Sequence, residues 1–189
     1  MLRQILTPLL IALGALALVG AAPAAASSAE QSRPSAQTVL HYDAGQAAEY
    51  TSAVSDAVDV WNSSVSNVRL EPAAAGEAAE IRIIADDGWP RAQLGPVRAG
   101  GQVTVWMGRE GTAEGYDPVR IAAHELGHSL GLPDAKPGPC SSLMSGSTGG
   151  VDCTSVSPDA SESAQVEANY GSGATGLRPA DGRILVDRG

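Results

Sequence analysis

Two histidines four residues apart bracket a glutamate in the run His124-Glu125-Leu126-Gly127-His128. On a helix, residues four apart lie on one face, so both imidazoles project the same way. Two nitrogens so placed can bind one Zn²⁺ at about 2.0–2.1 Å each. Glu125 is rotated about 100° from His124, where it can reach a water beside the ion without being a ligand. Gly131 ends the helix by taking positive φ, and the turn through Leu132-Pro133 brings Asp134 back as a third ligand. The fourth position stays open for water, as catalytic zinc requires. A histidine pair at this spacing also occurs on plain surface helices, and an ion can be bound without catalysis. The chain has 3 His, of which 2 fall in this window, and a pure binding site has no need of a base beside its ligands. The remaining one, His41, reads as a strand or surface residue.

His124-Glu125-Leu126-Gly127-His128-Ser129-Leu130-Gly131-Leu132-Pro133-Asp134 resembles the metzincin zinc peptidases, whose third ligand is usually a histidine. Asp134 in its place is characteristic of the snapalysin family, the small secreted neutral proteases of Streptomyces and relatives. Ser142-Leu143-Met144-Ser145-Gly146 looks like the Met-turn beneath the metal, with Met144 a structural floor and not a ligand. The resemblance spans roughly residues 38–170. It implies an α+β zincin fold: a twisted mixed sheet of about four strands, an edge strand over the cleft, an active-site helix and a C-terminal helix. It also implies endopeptidase action with Tyr or Phe just after the scissile bond. Some metzincins add a Tyr shortly after the Met-turn. Here Ser145-Gly146-Ser147 follows Met144, which leaves Tyr116 and Tyr170 as candidates by type alone. The resemblance further brings in calcium. Asp117 with loop carbonyls could hold Ca²⁺, although a helix cap accounts for Asp117 as well.

Positioning these groups needs a folded body. With 43% hydrophobic and 17% charged residues the composition is globular, and the length suits about one domain. Net charge is −9 with no Lys/Arg cluster, which argues against nucleic-acid binding. Aromatics are 4% with no Phe, so Val, Leu, Ile and Ala must build the core. Residues 1–26 read as a secretory signal: Arg3, then the apolar run Leu9 to Val19, then Ala24-Ala25-Ala26. That run is short for a membrane span, so the mature protein is expected to be soluble and monomeric, outside the cell, with proteins or peptides as substrates. Residues 27–37 read as a leader or short propeptide, 38–170 as the protease domain and 171–189 as a flexible extension.

Within the domain, Val39, Leu40 and Tyr42 suggest a strand, and Gln46 to Val65 shows helical spacing. Val68–Leu70, Glu80–Ala85 and Val103–Met107 read as three more strands, the last as the edge that captures an extended substrate. Asp86 to Gly101 reads as a long loop, with Asp86-Asp87 a solvated carboxylate pair. Asp117-Pro118 and Ser157-Pro158-Asp159 start two helices. Cys140 and Cys153, the 2 cysteines, read as one disulfide in an exported chain. The pair could alternatively be metal ligands.

Overall fold

The structure is a computed structural model that describes residues 36–171 and 182–188. The signal segment and nearly all of the leader lie outside those residues. Every described residue belongs to one compact unit, Pro34–Gly189. No helix among the described residues is long and apolar enough to cross a membrane.

Six strands form one sheet: β1 (Thr38–Gln46), β2 (Val68–Pro72), β3 (Ile81–Asp86), β4 (Arg91–Gln93), β5 (Val103–Gly108) and β6 (Ile184–Val186). Their order across the sheet is β2-β1-β3-β5-β4-β6. The first three pairings, β1 with β2, β1 with β3 and β3 with β5, are parallel, whereas β4 runs antiparallel to both β5 and β6. The helices are α1 (Thr51–Ser64), α2 (Arg109–Ala113), α3 (Pro118–Ser129) and α4 (Ala160–Tyr170). The expected class, a mixed sheet with packed helices, is the class found.

Three expectations change. The first strand runs on to Gln46, and a 3-10 turn at Ala48–Tyr50 precedes α1. The helical spacing read from Gln46 therefore overruns a strand that is held by non-local pairing with β3. Next, β5 is not an edge. It lies between β3 and β4, and β4 falls inside the stretch read as a loop. With three residues, β4 shows no periodicity of its own and exists through its partners. Finally, the tail read as a flexible extension contains β6, which pairs with β4. The part of that tail from 172 to 181 lies outside the described residues.

The core is aliphatic, as the composition demands. Leu40, Ile81, Ile83, Val105, Leu126, Leu130 and Leu143 are fully buried, and Trp61 is the largest side chain among them. Trp61 of α1 donates from Nε1 to Ala123 O of α3 at 2.9 Å. This fixes α1 against the helix that carries the histidines. At the far edge, Asn62 bonds both Leu70 N (2.8 Å) and Leu70 O (2.9 Å), so an α1 side chain satisfies backbone groups of β2 that an open edge would expose.

The end of α3 is tied by backbone to the segment that follows β4. Gly95 N donates to His128 O (2.8 Å) and Val97 N to Ser129 O (3.0 Å). A Cβ on Gly95 would sit 2.0 Å from Ser129 O, so only glycine permits this approach.

Candidate metal centre

Helix α3 begins on Asp117, whose carboxylate accepts Arg120 N–H at 2.8 Å, with Pro118 in the first turn. Its buried stretch from Arg120 to Ser129 faces α1 and the sheet. The helix ends in a Schellman motif. Gly131 has φ 97°, its N–H reaches His128 O at 2.9 Å, and Leu132 N–H reaches Gly127 O at 2.9 Å. That turn delivers the Leu132 carbonyl to His128 Nδ1 at 2.7 Å. The Leu143 carbonyl meets His124 Nδ1 at 3.0 Å. A carbonyl only accepts, so each Nδ1 carries the proton and each Nε2 keeps its lone pair.

Those two Nε2 atoms are buried and have no hydrogen-bond partner. Asp134 Oδ1 stands 3.5 Å from His124 Nε2 and 3.6 Å from His128 Nε2. The three atoms lie within 4.8 Å of one another. Ligands bonded to one tetrahedral Zn²⁺ at about 2.0–2.1 Å are spaced about 3.4 Å apart, so this donor set fits the ion. Glu125 is fully buried beside it, and both of its carboxylate oxygens are also without partners.

The electrostatics follow from burial. In the protein alone, burial pushes Glu125 up to about 8 and His128 down to about 3. Burial opposes charge on Asp134 too, yet the facing His124 imidazole and the nearby His128 and Lys136 hold its carboxyl down at about 2. Burial alone would lower His124, but Asp134, Glu125 and Asp187 raise it. The depressed His128 and Asp134 contribute stability that is present above about pH 6.5 and 3.8 respectively and is lost as pH falls toward their folded values. The raised Glu125 and His124 act with the opposite sign. Their contribution is complete at low pH and is lost as pH rises, for Glu125 between 4.5 and about 8. Thermal unfolding of chelator-treated protein should therefore peak between the two limbs. Glu125→Gln should raise stability on the alkaline side only, and an unchanged alkaline limb would contradict the assignment.

Met144 is buried beneath α3, and a Cβ on Gly127 would meet its sulfur at 2.7 Å. Cys140 and Cys153 form a disulfide, not a ligand pair. In the chain-entropy view a loop of this size is worth about 3 kcal/mol. Its segment is gathered by Glu162, which accepts Leu143 N at 3.1 Å and Met144 N at 2.8 Å. Asp117 belongs to neither of the two imidazole–carboxylate clusters among the described residues. Its capping bond accounts for it, and calcium finds no support there. Asp86 and Asp87 are not a free pair, because they bind Arg91 and Arg109 respectively. Tyr170 is spent on Val97 O at 2.8 Å, whereas Tyr116 lines the cleft with His124. His41 lies on β1, 3.5 Å from Glu80 and outside both clusters.

Asp187 and Lys136 were not anticipated. Asp187 Oδ2 is 4.0 Å from His124 Nε2, and Lys136 binds Asp187 and approaches Asp134 at 3.3 Å. Neither lies within the histidine motif's spacing, and only the fold of the tail brings Asp187 here. A cavity of about 180 Å³ opens beside Asp134, lined in part by Leu132, Pro133, Met144 and Gln165. A larger one of about 520 Å³ lies between α1 and the start of α3 and touches none of the four site residues.

Residues 36–173 match the family described as Streptomyces extracellular neutral proteinase (M7). The extracellular small neutral protease of Streptomyces coelicolor is 36% identical over 132 residues, which is 70% of this chain and 59% of that protein. The chain thus spans less than two thirds of that relative. The protein of the same name from Streptomyces caespitosus is 36% identical over 132 residues, covering 70% of this chain and 96% of its own. Among solved structures, high choriolytic enzyme 1, a hatching enzyme zinc-protease from Oryzias latipes, is 21% identical with a TM-score of 0.38, over 51% of this chain and 44% of that one.

Proposed function

The chain belongs to the Streptomyces extracellular neutral proteinase (M7) family, and from that premise we propose that it is a secreted zinc-dependent endopeptidase. One observation carries the reading: two buried imidazole nitrogens and an aspartate oxygen converge without hydrogen-bond partners, next to a buried, unpartnered glutamate. His124, His128 and Asp134 would hold the ion. When bound there, Zn²⁺ supplies a Lewis acid for the scissile carbonyl and acidifies the attacking water.

The remaining chemistry belongs to the chain. Glu125 takes the proton of the attacking water on a carboxylate oxygen and hands it to the leaving amine. Its enclosure keeps that oxygen free of competing donors. The Leu132 and Leu143 carbonyls hold the imidazoles in one tautomer and orientation. Met144 packs under Gly127 and keeps the helix from shifting along the floor.

The same premise extends to a preference for Tyr or Phe just after the scissile bond. The cavity beside Asp134, walled by Leu132, Pro133 and Met144 together with Ser142, Asp159, Glu162 and Gln165, offers room for a ring that carries a polar edge, as Tyr does. Secretion is supported by the extracellular names of the relatives and by the signal-like run at residues 1–26. Casein hydrolysis by the purified protein, abolished by a chelator and restored by stoichiometric Zn²⁺, tests the reading. A chain that binds one zinc and cleaves nothing would instead be a secreted metal-binding protein.

A further inference from the structure

We propose that residues 184–187 are an internal occupant of the substrate cleft, seated on the β4 edge as an extended peptide with the Asp187 carboxylate at the metal centre's open side. The proposal rests on the peptidase reading.

The segment behaves as an added strand. Ile184, Leu185 and Val186 pair antiparallel with Gln93, Ala92 and Arg91. The ladder is continued by Leu94 N to Arg183 O (2.8 Å) and Asp187 N to Pro90 O (2.9 Å). Main-chain pairing of this kind is how an exposed sheet edge takes up an extended peptide. Two of the strand's three apolar side chains do not serve the core, since Ile184 is 46% and Val186 38% exposed. The segment also lies beyond residue 173, where the family match ends.

Its last side chain is treated differently. Asp187 is 6% exposed, and a buried carboxylate is costly unless it is partnered. Oδ1 accepts Ser147 N–H at 2.9 Å and binds Lys136, while Oδ2 faces His124 Nε2 at 4.0 Å. With His124 and Glu125 it forms a second group of ligand atoms, all within 4.8 Å. The cradle is shaped for it. Gly146 has φ 52°, and a Cβ there would lie 2.5 Å from Asp187 Oδ1 and 2.8 Å from Lys136 Cε. An aspartate oxygen is an ordinary zinc ligand. Seated beside Glu125, it takes the space that water and the scissile carbonyl need. A substrate must therefore displace the tail, and the β4 edge that the tail vacates is the surface that accepts an extended peptide.

The test uses the full-length chain loaded with Co²⁺ or Zn²⁺, as wild type, Asp187→Asn and Leu185→Pro. The second variant keeps the carboxylate and places a proline in the paired strand, so it carries the test if Asp187→Asn fails to fold. We expect the visible absorption of the Co²⁺ form to change in both variants, and kcat/KM on a quenched fluorescent peptide to rise at least tenfold. A synthetic octapeptide with the sequence of residues 182–189 should inhibit the Leu185→Pro chain competitively. Unchanged Co²⁺ absorption together with unchanged kcat/KM overturns the proposal and leaves the peptidase reading intact. A changed spectrum with no cleavage by any form supports the seat of Asp187 and overturns the peptidase reading.

Discussion

Glu125→Gln lowers the rate of peptide hydrolysis by about 10²- to 10⁴-fold, the range expected for loss of a positioned general base, with zinc content unchanged. The substitution is close to isosteric. It breaks no existing bond, because neither carboxylate oxygen of Glu125 has a hydrogen-bond partner. It removes only the capacity to accept a proton. Burial pushes the Glu125 carboxyl up to about 8 in the protein alone, and a nearby divalent cation favours the ionised form and draws that value down. Elemental analysis and a peptide assay on the same sample check both halves. A rate within tenfold of wild type would remove Glu125 from the chemistry, and loss of zinc would make it structural instead.

Arg120→Ala should cost about 3–5 kcal/mol of stability, the range expected when a buried, hydrogen-bonded charged group is removed. Arg120 is 4% exposed. It donates to Ser142 O and Ser145 Oγ, both at 2.9 Å, to Cys140 O at 3.4 Å, and to Ser155 O. Cys140, Ser142 and Ser145 belong to the disulfide loop and the Met144 turn, and Ser155 follows the loop. Truncation strands several of them away from water, at roughly 1–3 kcal/mol for each buried group left unpaired. The same turn presents Leu143 O to His124, so zinc affinity should weaken as well. Urea unfolding with and without zinc measures both effects. A loss under about 1 kcal/mol would mean that water replaces the guanidinium.

The convergence of His124, His128 and Asp134 around one point was legible because its information is local. His124, Glu125 and His128 share one helical repeat, and Gly131 announces the turn that returns Asp134. Asp117-Pro118 marked the start of α3 for the same reason. Asp159 did so for α4, which it caps together with Glu162. What stayed hidden depends on partners distant in sequence. Arg91–Gln93 is a strand only because β5 and β6 flank it. Ile184–Val186 is too short to show periodicity, and Asp187 enters the centre across 51 residues from Lys136. The extension of β1 to Gln46 likewise answers to β3, with a register shift between Asp43 and Gln46, and not to its own composition.

The two imidazoles are braced from behind by carbonyls of separate turns, Leu132 for His128 and Leu143 for His124. Neither ring can swing away while both turns are closed. On the proposed zinc reading, release of an ion held there is expected to follow the opening of one of those turns, a local unfolding event. Amide exchange at Leu132, whose N–H closes the turn onto Gly127, and release of the ion are two readings of that single clock.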